Sequence, residues 1–166
     1  ENYISSRKSE FIAIYGRRRV GKTFLVKELF ENRFAFRVTG KDNVTTKEQL
    51  ASFSFALNDQ LGIEADVTNW PEAFRLLQKA LEKMPDGTKI IFFDELPWFD
   101  TYASNFISAL EHFWNDWAFY RSDIKLIACG SATTWMLNQV INSRGGLHNR
   151  ITHNILLSPF KLHEVE

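Results

Sequence analysis

The chain has a single cysteine, Cys129, in 166 residues, so neither an internal disulfide nor a zinc site built on several cysteines can form within it. A lone thiol is expected as a small buried group in a reducing compartment. Excess charge of either sign is also missing, because 20 Lys and Arg balance 20 Asp and Glu. A surface devoted to a polyanion needs surplus Lys and Arg, which excludes a dedicated nucleic-acid domain here but not a small local anion site. No apolar run approaches the roughly 18 residues of a membrane span, and no signal peptide opens the chain. A cytoplasmic protein with no membrane partner is therefore expected. Repeats, low-complexity stretches and long linkers are absent as well; His112, His153 and His163 show no metal-ligand spacing, and His148 reads as a loop residue rather than a ligand.

What the chain does have is core. Its hydrophobic fraction is 45%, with 15 Phe and 5 Trp, which argues against disorder. The length suits one domain burying about 70% of its unfolded-chain surface. Short apolar runs at residues 11–15, 34–38, 89–93, 125–129 and 151–157 read as strands. Helices are expected between them. One covers residues 23–30, with Leu25 and Leu29 on one face. A second opens on the capping box Thr45 and Glu48 and carries Leu50, Phe53, Leu57 and Leu61. A third starts at Asn69 with Pro71 and Glu72, turns Phe74, Leu77 and Leu81 inward, and is closed by Gly87. Phe106, Leu110, Phe113, Trp114 and Trp117 mark a fourth, and residues 133–142 a fifth. Strands alternating with helices predict a parallel sheet covered on both faces, a three-layer α/β sandwich.

Gly16-Arg17-Arg18-Arg19-Val20-Gly21-Lys22-Thr23 fits G-x-x-x-x-G-K-[ST] in full, after a strand and opening a helix, which is the context its mechanism requires. The glycines let successive N–H groups curl around a phosphate, and the helix N-terminus adds partial positive charge. Lys22 would reach the β- and γ-phosphates, and the Thr23 hydroxyl would ligate Mg²⁺. Arg17, Arg18 and Arg19 read as solvated charges that raise the local potential. The run at 89–93 ends in Asp94-Glu95, where Asp94 would hold Mg²⁺ through water and Glu95 polarise a water for attack on a γ-phosphorus. Glutamate directly after the metal-site aspartate favours hydrolysis over kinase-type transfer. Trp98 reads as packing rather than as an adenine platform. Ser131, just past the strand at 125–129, is open to two roles: sensing the γ-phosphate or its water, and capping the next helix.

With these motifs in order, the chain resembles the archaeal-type ATPases, of the STAND branch of AAA-like P-loop NTPases. The resemblance rests on residues 15–23 and 91–98, Gly130-Ser131-Ala132-Thr133, Gly145-Gly146-Leu147-His148-Asn149-Arg150 and Leu157-Ser158-Pro159-Phe160. It implies a five-stranded sheet ordered 5-1-4-3-2 and ATP hydrolysis coupled to a conformational switch. It also implies that Arg150, before the last strand, approaches a γ-phosphate, often a neighbouring subunit's; packing of Arg150 against the helix layer is the alternative. Asn149 stands where many relatives have glycine. The resemblance further implies a preceding segment that frames the nucleotide and a C-terminal winged-helix or lid region. Residues 1–166 are accordingly expected to be an ATPase core cut from a longer protein, with DNA a partner only through domains outside it. Two other readings remain: a nucleotide-gated binding module that holds ATP or ADP with little turnover, and a ring-forming nucleic-acid motor. The motor requires a basic stripe that the sequence lacks.

Overall fold

A computed structural model describes residues 5–159. Phe160, His163 and the remainder of the tail at 161–166 lie outside the described residues. Five strands, β1 (Glu10–Tyr15), β2 (Phe36–Thr39), β3 (Lys89–Asp94), β4 (Ile124–Gly130) and β5 (His153–Leu156), form one sheet in the order β2-β3-β4-β1-β5, with every pairing parallel. This is the 5-1-4-3-2 order read from the other edge, in a three-layer P-loop NTPase sandwich.

The central strands β1, β3 and β4 are buried on both faces because helices cover the sheet on each side, whereas the edge strands β2 and β5 carry exposed residues at alternate positions. On one face Phe11, Ala13, Phe36, Val38, Ile91, Phe93, Leu126 and Ala128 pack under α2 (Thr46–Leu61), α3 (Trp70–Glu82) and α4 (Phe106–Asp116). On the other, Ile12, Ile14, Ile90, Phe92, Ile127 and Cys129 meet Val26 and Phe30, at and just beyond α1 (Lys22–Leu29). Cys129 is a free buried thiol, and burial pushes its pKa well above the ordinary value. Trp70 centres the larger core. Its ring lies edge-on to Phe106 at 4.9 Å, Phe53 at 5.4 Å and Phe99 at 5.6 Å.

The caps form as the sequence predicts. Thr45 and Glu48 make a reciprocal capping box, and the Asn69 side chain accepts from Glu48's counterpart in α3, the Glu72 N–H, at 2.9 Å. Several local expectations are corrected. In α1 the inward residue is Val26 rather than Leu29, which is 52% exposed, because the buried Lys22 sets the helix face toward the phosphate loop. Gly87 does not close α3. That helix ends at Glu82, and Gly87, at φ 134°, shapes the turn into β3. The fifth helix is one α-turn (Thr133–Trp135) running into a π-turn (Met136–Ile141). The outer strands are shorter than the apolar runs suggest. Residues 34 and 35 lead into β2, and β5 stops at Leu156.

β2 is an edge strand, and α2 closes its outer side with amide side chains. Gln60 accepts from the Arg37 N–H at 2.8 Å and donates to the Arg37 carbonyl at 2.7 Å. Eleven residues earlier on the same helix face, Gln49 pairs in the same way with the Lys41 main chain. The two amides stand where a further strand would bond.

Candidate functional site

Parallel strands deliver their C-terminal ends to one edge, and Tyr15, Asp94 and Gly130 end β1, β3 and β4 there. Beyond Tyr15 the chain turns at Gly16, whose φ is 149° and whose missing Cβ would stand 2.3 Å from the Leu157 carbonyl oxygen. No side chain other than hydrogen fits. Arg19 (φ 63°) and Gly21 (φ 90°) complete a curled loop around exposed Arg17 and Arg18 and half-buried Val20. Gly21 caps α1, with no side-chain cap and no acid in the first turn, so the positive end of the helix faces the loop uncompensated. Lys22 is buried, and its Nζ donates to the carbonyls of Gly16 at 3.0 Å and Arg17 at 2.7 Å.

Thr23 donates its hydroxyl to Asp94 Oδ2 at 2.7 Å, and Asp94 Oδ1 accepts from the Glu95 N–H at 3.0 Å. Burial raises the Asp94 pKa, opposed by the Thr23 hydrogen bond and reinforced by the charge of Glu95. Glu95 takes the left-handed conformation (φ 50°, ψ 51°), which is strained for a residue with a side chain. Its carboxylate accepts from the Ser131 hydroxyl at 2.9 Å. Ser131 does not cap the following helix. Ala132 occupies that position without a side-chain cap, and the serine hydroxyl is turned to Glu95 instead. Thr23, Asp94, Glu95 and Ser131 thus form one contiguous hydrogen-bonded group, with Lys22 next to Thr23 and turned to the loop carbonyls.

Arg18 reaches sideways rather than into the loop. Its guanidinium lies 3.6 Å from Asp42 and 5.4 Å from the Trp98 ring centroid. Arg150 is elsewhere. Ile12 pairs with His153, so Arg150 precedes β5 at the N-terminal edge of the sheet, where its guanidinium stacks on Phe119 at 4.2 Å. At about 3.3 Å per residue it stands on the order of 20 Å from Gly16 of its own chain.

Sequence reasoning missed two contributors. Gly40, just past β2, donates its N–H to the Asp94 carbonyl at 2.9 Å. A Cβ on it would stand 2.5 Å from the Glu95 carbonyl oxygen. Gln49 is fully buried and joins the Lys41 main chain to the Trp98 carbonyl. Its signal was present in the sequence: Gln49 is a polar residue four positions before Phe53, on the inward stripe of α2.

A carboxylate this buried, next to a hydroxyl, is a hard-oxygen pair whose charge a divalent cation would compensate, so Thr23 and Asp94 fit Mg²⁺. Among the described residues no group of three or more His, Cys, Asp or Glu gathers to hold a metal. Oxygens of a nucleotide and of water would complete such a coordination shell.

A family model described as AAA domain matches residues 8–166. An uncharacterized protein of Methanocaldococcus jannaschii is 30% identical over 161 residues, which are 95% of this chain and 33% of that protein. The chain thus spans about a third of the length of this curated relative. Among solved structures, the Walker-type ATPase PABY2304 of Pyrococcus abyssi superposes with a TM-score of 0.64 at 21% identity, covering 93% of this chain and 50% of that one. Cdc6p from Pyrobaculum aerophilum also gives 0.64, at 17% identity, covering 99% and 43%. Both share the fold. No helix among the described residues is long and apolar enough to cross a membrane.

Proposed function

Because this chain belongs to the AAA domain family, we propose that it binds ATP with Mg²⁺ and hydrolyses it by water attack on the γ-phosphate, and that hydrolysis drives a conformational switch. The family supports nucleotide binding and hydrolysis in general terms. The finer reading rests on one observation, the unbroken contact from Thr23 through Asp94 and Glu95 to Ser131 beside the phosphate loop.

Thr23 and Asp94 would hold Mg²⁺, which would supply charge neutralisation at the phosphates. The loop from Gly16 to Thr23 would wrap the phosphates with main-chain N–H groups, and Lys22 would give up its two loop carbonyls for phosphate oxygens. Glu95 orients the attacking water, and Ser131 links that carboxylate to the tip of β4. Arg150 stacks on Phe119 at the N-terminal edge of the sheet, which favours a contact with a γ-phosphate between copies over one with its own loop; an arginine finger is worth about 10³–10⁵ in rate.

The ordered motifs favour the archaeal-type, STAND-branch assignment. They also favour a C-terminal domain of the same protein as the recipient of the switch, with DNA reached only through such a domain. The hydrogen bond that occupies Glu95 supports a second reading, a nucleotide-gated module with little turnover. Nucleotide retained through purification and phosphate release separate the two, because retention without release favours the module.

Glu95→Gln is expected to bind ATP as the parent does while losing hydrolysis, and Lys22→Ala to weaken binding itself. Turnover and equilibrium ATP binding of the two variants test this. Undiminished hydrolysis in Glu95→Gln would remove Glu95 from the mechanism.

A further inference from the structure

Glu95 is held in its left-handed conformation by neighbours that converge on its main chain. Its carbonyl accepts from the Trp98 N–H at 3.1 Å, and Gly40 packs against that carbonyl from the β2 side. Gly40 packs on the Trp98 Cβ and bonds the Asp94 carbonyl through its N–H, and Gln49 adds the side-chain hydrogen bonds that join Lys41 to Trp98. Its Oε1 accepts from the Lys41 N–H at 3.1 Å, and its Nε2 donates to the Lys41 carbonyl at 2.6 Å and to the Trp98 carbonyl at 2.9 Å. The side chain is fully buried, so water cannot replace these bonds.

We infer that Gln49 is a positioning residue for Glu95: its amide clamps the chain after β2 to the turn after β3 and so sets where the Glu95 carboxylate points. The inference rests on the reading of Glu95 as the water-orienting group. Trp98 also carries Arg18 of the phosphate loop on its ring, so the same clamp fixes one wall beside that loop. Gln60 makes the equivalent pair with β2 alone and touches nothing near Glu95. It serves as the internal control.

The test compares Gln49→Met, Gln49→Glu and Gln60→Met in the full chain by kcat, KM, equilibrium ATP binding and amide hydrogen exchange. Gln49→Met is expected to keep ATP affinity within about twofold while kcat falls about tenfold or more, since small misplacements of a reacting group are expensive in rate. Exchange should quicken at residues 95–99 and not in α3 or α4. In Gln49→Glu the ionised carboxylate cannot donate to the Lys41 and Trp98 carbonyls, and its protonated form restores one donor. Its kcat relative to the parent should therefore rise as pH is lowered. Gln60→Met should leave kcat unchanged.

Parental kcat in Gln49→Met would overturn the inference. So would a kcat loss matched by lost ATP affinity, or exchange quickened throughout the chain. If the parent shows no turnover that Lys22→Ala abolishes, the hydrolysis reading fails. Exchange at residues 95–99 then decides alone whether Gln49 holds this segment.

Discussion

Glu95 and Asp94 are adjacent in sequence and differ in how the fold treats them. Asp94 ends a buried strand and keeps its carboxylate out of water, whereas Glu95 is turned toward Ser131 by a backbone conformation that only its surroundings sustain. Burial raises the Asp94 pKa in the fold above its unfolded value. When both states are protonated, at low pH, the residue is neutral in its effect. As pH rises through the unfolded pKa, ionisation favours unfolding, and this penalty is complete above the folded pKa. Asp94→Asn removes it, and its amide oxygen keeps the bond from the Glu95 N–H while its NH2 can donate to the Thr23 hydroxyl oxygen, which reverses that bond. The expected outcome at neutral pH is a higher melting temperature without nucleotide, together with loss of the stabilisation that Mg²⁺ adds to ATP. Thermal denaturation with and without Mg²⁺-ATP reads both effects.

At the scale of elements, the helices with explicit punctuation are the ones the sequence locates best. Thr45 and Glu48 open α2, and Asn69 opens α3, where written, because a cap is a contact between residues three apart. Asn69→Ala is expected to lower stability by about 1 kcal/mol, the usual worth of such a cap, measurable by chemical denaturation. The phosphate loop and the Asp94-Glu95 pair were legible for a related reason, since each is one continuous segment whose chemistry depends on local spacing. Gly40 was not, because its role depends on its approach to Glu95 across two strands, which no local pattern encodes; for Gln49 the inward stripe of α2 marks a buried polar side chain but not the partners it reaches. Leu29 misled because α1 is too short for periodicity to fix its face, and Lys22 fixes it instead. The helix after Ser131 differs from the sequence expectation in kind, as its second half widens into a π-turn beginning at Met136, whose sulfur fills the space over Gly130.

Over the whole molecule, chemistry and reinforcement divide between the two edges of the sheet. The C-terminal edge gathers the phosphate loop, Asp94, Glu95 and Ser131. The N-terminal edge is tied by ion pairs, with Asp123 accepting from Arg121 at 2.6 and 2.8 Å and from Lys89 at 2.9 Å. The Arg121 hydrogen bonds lead in lowering the Asp123 pKa to about 2, opposed by burial and helped by Lys89. A carboxylate depressed in the fold contributes stability that is fully present above its unfolded pKa and is lost as pH falls through the folded value. Asp123→Asn should therefore be less stable than the parent at pH 6, with the difference shrinking from about pH 4 to about pH 2. Urea denaturation across that range checks this. The sealed outer side of β2 has a consequence for how the chain survives its own synthesis. The next helix in the sequence carries Gln60, which bonds Arg37 of β2, and Gln49, which bonds Lys41 just beyond it, so the cover for β2 precedes β3, its inner partner, along the chain. An edge strand that stands some fifty residues before its partner thereby offers fewer open main-chain groups to the strands of neighbouring chains.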